Sequence, residues 1–426
     1  MEKNIGSNAL SAVIGIAFLA LLLTGCDDLN GKKVEQEVTL NGMSFVYDIE
    51  HDGYTLNKYS GNDVKVTIPA SVNGKPVTGI GYDSFYCLNT LVSITIPASV
   101  KSIGNSAFGN CTSLASITIP EGVMSIEEMT FFGCTSLASI TIPASVTFIG
   151  ERAFAQCTSL EQVIVASGNT VYRSEGNCLI AIKNNSLIAG IKTSIISASV
   201  ISIGDMAFFG ASIENLTIPA SVTSIGEYAF ADCASLASIT IPASVTSIGD
   251  HAFEYCASLA NITIPASVTS IGHGTFAQCA SLASITIPEG VMSIEKFAFW
   301  GCTSLASITI PASVTFLGMD AFNGCTSLKS VTFAYDSQLE SIHNSAFLDC
   351  TSLASITIPA SVRGMGIWIF RGWSSQQTIT IPFSTLAEAN TAWWSNGDWM
   401  RDDGSFNGWT LATIQTLSGV KLWPVQ

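Results

Sequence analysis

Residues 111–120 read C-T-S-L-A-S-I-T-I-P, and in most copies V-x-x-I-G-x-x-A-F follows this stretch. The unit recurs along the chain at a constant step of 23 residues, as from Pro97 to Pro120 to Pro143. A fixed period of this length is typical of a solenoid, in which each coil contacts only its neighbours. The same step continues at Pro219, Pro242, Pro265, Pro288 and Pro311, and again from Pro359 to Pro382.

Each copy carries its own strand signal. In Ser116-Ile117-Thr118-Ile119, apolar and small polar residues alternate, and Pro120 follows. This period of two predicts a short, half-buried strand that the proline ends. Stacked strands would form one parallel sheet with the isoleucines on its inner face. An acidic residue such as Glu227 or Asp250 often follows the glycine, which favours a short helical turn on the other face.

The combined motif L-x-x-I-x-I-P and V-x-x-I-G-x-x-A-F resembles the bacterial leucine-rich repeat of BspA-like surface proteins and treponemal repeat proteins. The resemblance covers about residues 40–385. It implies a curved leucine-rich repeat solenoid of 23-residue coils. Such an array would have one parallel β-sheet, short helical turns on the other face, and a cap at each end, because open ends of a solenoid must be covered.

The copies divide the chain into parts. Between two apolar runs, Asn184-Asn185 is typical of a hairpin turn, and BspA-like proteins carry a similar insert. Seven of the eight tryptophans fall after residue 360. The predicted parts are a signal peptide (1–26), a tether (27–40), an N-terminal cap (41–84), the repeat array (85–382, with a hairpin-like insert at about 167–196) and a tryptophan-rich C-terminal cap (383–426).

The first residues indicate export. An apolar run from Ala9 to Leu23 is too short for a comfortable membrane span. It ends in Leu23-Thr24-Gly25-Cys26, which resembles a bacterial lipobox. A lipobox implies cleavage before Cys26, lipidation of its sulfur and anchoring to a bacterial membrane, for which we expect the outer surface. The alternative is a secretory signal in which the cysteine is incidental.

Composition narrows the classes of function. The chain has 17 Lys and Arg against 32 Asp and Glu, a net charge of −15. Nucleic-acid binding needs clustered positive charge, so this balance argues against it. His251 and His273 occupy neighbouring positions in successive coils, with Asp250 beside the first, and we interpret them as variable surface residues. A Ser-His-Asp site needs one serine set apart, whereas every serine here is duplicated in the next coil. We therefore predict no enzymatic activity and no cofactor.

The cysteines recur with the repeat, for example at Cys233, Cys256 and Cys279. Zinc needs four ligands that converge on one point, which a straight ladder does not supply. Disulfides between adjacent coils are conceivable in distance, but parallel side chains do not present the required dihedral. Leucine-rich repeats place asparagine or cysteine facing inward at this point. We predict buried, unpaired thiols and no metal site.

Residues that vary between copies are the candidates for recognition. The strand's outward positions are small and nearly invariant, whereas binding surfaces need large and diverse anchors. The variable pairs follow Ile-Gly and Ala-Phe, and they supply Tyr228, His251, Tyr255, His273, Phe297 and Trp300 as candidate partner-binding residues. Trp393 and Trp394 are further candidates, which could stack on sugar rings or dock a partner. We favour the interpretation that these two seal the last coil, because the end of the array needs an apolar lid.

BspA-like proteins are linked with adhesion to host matrix proteins and to other bacteria. The resemblance therefore implies a lipid-anchored surface protein that binds a macromolecular partner, a protein of the host matrix or of another bacterial cell. We expect it to act as a monomer that meets the membrane through its N-terminal lipid only. The alternative is a structural envelope spacer without a specific ligand, since near-identical repeats are better suited to a spacer than to a protein that recognises a specific partner.

Overall fold

The computed structural model describes residues 37–393 and 412–423. The described part of the chain begins with a cap in which β1, β2 and β3 pair antiparallel. Strand β3 then pairs in parallel with β6, and β6 pairs with the first regular coil through Ile80 and Ile103. The cap thus covers one end of the stack. Its strands are β1 (Glu37–Leu40), β2 (Met43–Asp48), β3 (Gly53–Tyr59), β4 (Lys65–Thr67), β5 (Ser71–Val72) and β6 (Lys75–Ile80).

The repeats form a β-solenoid in two blocks, which confirms the solenoid predicted from the 23-residue period. The first block contains β7 (Ser93–Thr95), β8 (Ser102–Ile103), β9 (Ser116–Ile117), β10 (Ser125–Ile126), β11 (Ser139–Ile142), β12 (Phe148–Ile149) and β13 (Gln162–Val165). An insert then contributes β14 (Tyr172–Glu175), β15 (Cys178–Ala181) and β16 (Ser186–Ala189).

The second block is longer and is followed by a terminal segment. The block contains β17 (Ser202–Ile203), β18 (Asn215–Thr217), β19 (Ser224–Ile225), β20 (Ser238–Thr240), β21 (Ser247–Ile248), β22 (Asn261–Thr263), β23 (Ser270–Ile271), β24 (Ser284–Thr286), β25 (Ser293–Ile294), β26 (Ser307–Ile310), β27 (Phe316–Leu317), β28 (Ser330–Phe333), β29 (Ser341–Ile342), β30 (Ser355–Thr357), β31 (Gly364–Met365) and β32 (Thr378–Ile381). The terminal segment contains α1 (Leu386–Trp393), β33 (Thr413–Thr416) and β34 (Lys421–Trp423).

The single parallel sheet expected from the sequence is corrected to two lines of parallel strands. One line is built from the Ser-Ile-Thr segments, so that Ile239 pairs with Ile262 and Ile262 with Ile285. The other is built from the Ser-Ile pairs before the glycine, as between β19 and β21. The sequence pattern showed this second isoleucine only as a core anchor. Its dipeptide is also extended, and identical dipeptides in neighbouring coils pair in register.

The expected helical turn after the glycine is also corrected. This part of each coil is a series of turns, because the second residue of each variable pair has a positive φ, as in His251 (φ 56°) and Tyr255 (φ 58°). A left-handed residue interrupts a right-handed helix. The backbone instead bonds to the next coil, so that the Phe253 N–H donates to the Thr275 carbonyl oxygen at 2.9 Å.

The interior is a set of stacked identical side chains. Phenylalanine rings of successive coils lie in contact, with centroids 5.1 to 6.2 Å apart within each stack. The first stack is Phe85, Phe108, Phe131 and Phe154, and the second is Phe208, Phe230, Phe253, Phe276, Phe299, Phe322, Phe347 and Phe370. Burial of these rings and of the isoleucine, valine and leucine stacks is the main stabilising contribution.

The insert separates the two blocks. Strands β14, β15 and β16 are antiparallel, the turn at Asn184-Asn185 joins the last two, and β16 then pairs in parallel with β17. The Tyr172 hydroxyl accepts a 3.1 Å hydrogen bond from the backbone N–H of Ile149, the last residue of β12. Gly190 lies against the ring of Phe208 so closely that a Cβ would come within 2.0 Å of it. The insert therefore fills the place of a regular coil.

Candidate partner-binding surface

The variable residues lie at the surface of the turns, where half-buried residues flank the two buried residues of each coil. Ala252 and Phe253 are fully buried, whereas His251 before them and Glu254 after them are half-buried. The left-handed conformation of His251 turns the chain at this point. Each coil thus presents residues from both variable pairs at the surface, while the Ala-Phe between them fills the core.

Five of the predicted binding residues form a continuous chain of ring contacts. The rings of Tyr228 and His251 are stacked with centroids 4.5 Å apart, and those of His251 and His273 are 4.4 Å apart. The ring of Phe297 lies 5.6 Å from His273, and Trp300 lies 6.0 Å from Phe297. We call these five residues the aromatic row. It crosses four successive coils, and all five side chains are half-buried.

Tyr255 lies beside the aromatic row rather than in it. It occupies the position just before Cys256, and its side chain is 46% exposed. Within the described part of the chain, it has no ring contact of the kind that joins Tyr228 to His251. Tyr255 is therefore a separate exposed aromatic on the same surface.

Two carboxylates border the aromatic row, and we call Asp232 and Glu254 the carboxylate pair. They lie in adjacent coils, where the Asp232 N–H donates to the Glu254 backbone carbonyl oxygen at 2.8 Å. Burial raises the pKa of both carboxyl groups, and the charge of Asp232 raises that of Glu254 further. The Nδ1 atom of His251 lies 2.9 Å from Oε2 of Glu254 and opposes that shift. Burial, followed by the charge of His251, lowers the pKa of His273.

Arg152 is a residue of this surface that the sequence analysis missed. Its guanidinium carbon lies 4.7 Å from the ring centroid of Phe209 and 6.0 Å from that of Tyr228. The insert separates Arg152 from these residues in the sequence, which hid their proximity. The available signal was its place in the repeat, since Arg152, like Tyr228 and His251, is the second residue after the glycine.

The C-terminal candidates divide differently. Trp393 is only 6% exposed, its ring packs against Phe383, and its Nε1 donates a 2.9 Å hydrogen bond to the Val362 carbonyl oxygen. Its proposed role as a surface binding residue is corrected, because a side chain buried in the last coil cannot meet a partner. Trp394 and Cys26, the predicted lipidation residue, lie outside the described residues.

The repeated cysteines are buried free thiols, as predicted. Each donates a hydrogen bond from Sγ to the phenylalanine carbonyl of the preceding coil, as from Cys256 to Phe230 at 3.1 Å. Cys87 differs and is exposed, because in its coil Leu88 follows it and occupies the inward position. Across residues 37–393 and 412–423, no group of three or more His, Cys, Asp or Glu side chains is placed to hold a metal ion.

A cleft lies where the insert meets the second block. Arg152, Gly190 and Phe209 contribute to its lining, and its volume is about 30 Å³. This space suits a water molecule rather than an organic substrate. None of the helices in the described parts of the chain is long and apolar enough to cross a membrane.

Comparison with known proteins agrees with the geometry. The family model described as the BspA type leucine rich repeat region, with six copies, matches residues 78–193, 184–289 and 269–396. A leucine-rich repeat protein from Bacteroides ovatus is 25% identical, with 89% of this chain and 99% of that one covered and a TM-score of 0.50. One from Eubacterium ventriosum is 23% identical, with 79% and 95% covered and a TM-score of 0.59.

A leucine rich cell surface protein from Faecalibacterium prausnitzii is 30% identical to this chain. The alignment covers 70% of this chain and 94% of that one, with a TM-score of 0.41. The search of curated proteins gave no match.

Proposed function

Since the chain belongs to the BspA type leucine-rich repeat family, we propose that it is an exported bacterial surface protein that binds protein partners and mediates adhesion to host or bacterial surfaces. A lipid on Cys26 would hold it at the outer face of the membrane. The motif Leu23-Thr24-Gly25-Cys26 supports the anchor. Leucine-rich repeat solenoids typically serve as binding scaffolds, and we assign no enzymatic activity.

The aromatic row is the observation that carries the proposed binding role. Along the line of β20, β22 and β24 the outward residues are small and polar, as with Ser238 and Thr240. Tyr228, His251 and Trp300 instead gather large, ordered rings on one surface. Aromatic side chains are typical anchors of protein interfaces, because they contribute much contact area and lose little conformational entropy.

Binding by the mature protein tests the proposal. The protein from Cys26 onward is titrated against a panel of matrix proteins and bacterial cells, beside a variant with Tyr228→Ser and Phe297→Ser. Ser106 and Ser345 occupy the same coil position with positive φ, so serine is compatible with the fold there. The matched control is Met129→Ser, at the same position in the first block. Saturable binding that only the first variant weakens supports the role, whereas absence of any saturable partner contradicts it.

The anchor has its own test. Mass spectrometry of the protein from its native membrane should show a chain that begins at a diacylglyceryl-modified Cys26, and Cys26→Ala should release the protein from the membrane. Protease treatment of intact cells should then remove the repeat array. A chain that retains residues 1–25, or an array protected from the protease, would contradict anchoring at the outer surface.

A structural spacer is the second candidate function. The uniform Ser and Thr face favours it, since Ser238, Thr240, Ser284 and Thr286 repeat the same small surface from coil to coil. A spacer needs its length and not its variable residues. Replacing the variable pairs with residues from other coils would leave a spacer's function unchanged, whereas it would abolish recognition.

A further inference from the structure

At the Tyr228 end of the aromatic row, the chain places one of its own arginine side chains against aromatic rings. The Arg152 guanidinium lies over the ring of Phe209 and within 6.0 Å of the Tyr228 ring centroid. Its charge also lowers the pKa of Asp232, against the effect of burial. A guanidinium is attracted by aromatic faces and by carboxylates together. Arg152, which comes before the insert in the sequence, therefore already lies among aromatic rings and a carboxylate at this end of the row.

The carboxylate pair leaves further negative charge on the same surface. Asp232 forms no ion pair within 4 Å among residues 37–393 and 412–423, and Glu254 is paired there with His251 only. Both carboxyl groups are half-buried and lie in adjacent coils, where like charges repel. Folding has already removed part of their water. A cation that docks there would therefore gain the attraction with less additional loss of hydration than at an exposed carboxylate.

The other end of the row also has a half-buried carboxyl group in the neighbouring coil, that of Asp320, whose Oδ1 accepts a 2.8 Å hydrogen bond from Nδ2 of Asn323. Trp300 meets Phe297 edge to face at 6.0 Å, and the Phe297 N–H bonds to the coil that carries Asp320. Asp320 occupies the position of Tyr228 and His251 in its own coil, and it is half-buried. From the coil of Tyr228 to that of Asp320, four coil steps of about 4.8 Å span about 19 Å, which an extended peptide of about six residues covers.

We propose that the aromatic row, the carboxylate pair and Asp320 form a docking surface for an extended, arginine-bearing basic segment of a protein partner. This inference rests on the proposed protein-binding function and specifies the chemistry of the partner. The net charge of −15 favours the approach of such a segment over long range. Arginine is favoured over lysine because its planar guanidinium stacks on rings and binds carboxylates through two donors, as an ammonium does not.

Titration of the mature protein with synthetic peptides tests the proposal. The probe is a peptide of alternating arginine and serine, long enough to span the surface, and lysine-serine and glutamate-serine peptides of equal length are compared with it. The arginine peptide should bind saturably and several-fold more tightly than the lysine peptide, and the glutamate peptide should not bind. Asp232→Asn should weaken arginine-peptide binding by about tenfold, as the loss of one charged contact of this kind does.

A matched control separates this surface from general attraction to an acidic protein. Asp349 occupies the same coil position as Asp232, with φ 55° against 58°, but it is exposed and its coil is the second one beyond that of Phe297 and Trp300. Asn110 occupies that position in the first block with φ 56°, so asparagine is compatible with the fold. Asp349→Asn should leave peptide binding unchanged. Equal loss in the two variants, or equal affinity for arginine and lysine peptides, would overturn the inference.

Competition distinguishes this inference from the proposed function. The arginine peptide should displace a protein partner found with the panel of matrix proteins and cells. If a partner binds saturably and the arginine peptide neither binds nor displaces it, the protein-binding function stands and the basic-segment inference fails. If the panel yields no partner, binding of the arginine peptide that depends on Asp232 supports the docking surface by itself.

Discussion

The Cys134 thiol donates a hydrogen bond to the backbone carbonyl oxygen of Phe108 in the preceding coil, with 3.2 Å between sulfur and oxygen. The bond joins neighbouring coils in a buried turn, and the same carbonyl oxygen also accepts the Cys111 backbone N–H at 3.1 Å. The thiol is the second donor to this oxygen and otherwise packs as a small apolar group. The same bond recurs from Cys111, Cys157, Cys233, Cys256, Cys279, Cys302, Cys325 and Cys350.

Thiol reactivity should therefore separate Cys87 from the buried cysteines. Burial raises the pKa of Cys111 and of Cys279 to about 12, so neither forms the reactive thiolate at neutral pH. Cys87 is exposed. In the folded protein, a maleimide should label Cys87 within minutes and leave the buried cysteines unlabelled, and all should react after denaturation. Peptide mapping by mass spectrometry is the measurement. Rapid labelling of native Cys279 would contradict its inward orientation.

Substitution of one buried cysteine should show what its hydrogen bond contributes. Cys279 donates to the Phe253 carbonyl oxygen at 3.1 Å. Cys279→Ser keeps a donor and should lower the free energy of unfolding by about 1 kcal/mol. Cys279→Val removes the bond between the coils, but the Phe253 carbonyl oxygen still accepts the Cys256 backbone N–H at 3.2 Å, so the loss should be about 0.5–1.5 kcal/mol. Cys279→Arg should disrupt the coil, because the charge cannot leave the interior. Urea denaturation measures the series, and a valine variant as stable as wild type would show that the bond contributes nothing.

The phenylalanine stack should be far more sensitive than an exposed phenylalanine. Phe276 is fully buried between Phe253 and Phe299, whereas Phe148 is 50% exposed at a position where the paired residue is Ser125. Phe276→Ala should lower the free energy of unfolding by about 3–5 kcal/mol through loss of packing and creation of a cavity. Phe148→Ala should change it by no more than about 0.5 kcal/mol. Similar effects from the two variants would contradict the assignment of inner and outer faces.

The repeat made most of the fold predictable from sequence. A 23-residue step with isoleucine at alternate positions indicates stacked coils, and the recurrent cysteine beside it indicates an interior thiol. The second line of strands was not predictable, because Ser247-Ile248 is too short to show a period of two. The turn conformation was missed for a related reason, since Tyr228 and Phe297 carry no turn signature although both have positive φ.

The candidate site was predictable in composition but not in arrangement. Comparison of coils selected His251 and His273 because these positions vary. It did not show that the rings touch, since this depends on the coil spacing. It also depends on Gly274, which occupies the position of His251 in the next coil and has no side chain there, so that the ring of His273 reaches His251. Arg152 was missed because contact across the insert depends on how the insert folds. Both roles were open for Trp393, because a tryptophan that seals a solenoid and one that binds a partner look alike in sequence, and its burial in the last coil agrees with sealing.

Gly190 should be essential to the junction between the blocks. A Cβ there would lie 2.0 Å from the Phe208 ring, which is buried and stacks on Phe230. Gly190→Ala should displace the insert and weaken the contact between the two blocks. Hydrogen exchange should then rise first around residues 186–210. The matched control is Gly364→Ala, where the nearest atom is an ordinary 3.7 Å away and the paired residue is Ser341. Equal exchange in the two variants would contradict the close packing.

The ionised carboxylate of Asp232 should lower the free energy of unfolding at neutral pH, and this effect should disappear in acid, where the group is protonated. Burial raises its pKa in the folded protein, although the charge of Arg152 partly opposes the shift. A carboxyl group whose folded-state pKa is above its unfolded-state value is destabilising when ionised, and the effect fades as pH falls through the folded-state pKa. Asp232→Asn should therefore raise the free energy of unfolding at pH 7. That gain should disappear below about pH 3.9, the usual pKa of an unfolded aspartate.

Urea denaturation of wild type and Asp232→Asn across this pH range measures the effect, and Asp349→Asn is the matched control. Asp349 has the same left-handed conformation at the same coil position but an exposed side chain, so its substitution should change the free energy of unfolding by no more than about 0.5 kcal/mol. The comparison removes any general effect of placing asparagine at this turn. A variant Asp232→Asn that is less stable than wild type at pH 7 would show that attraction to Arg152 outweighs burial, and the predicted sign would be wrong.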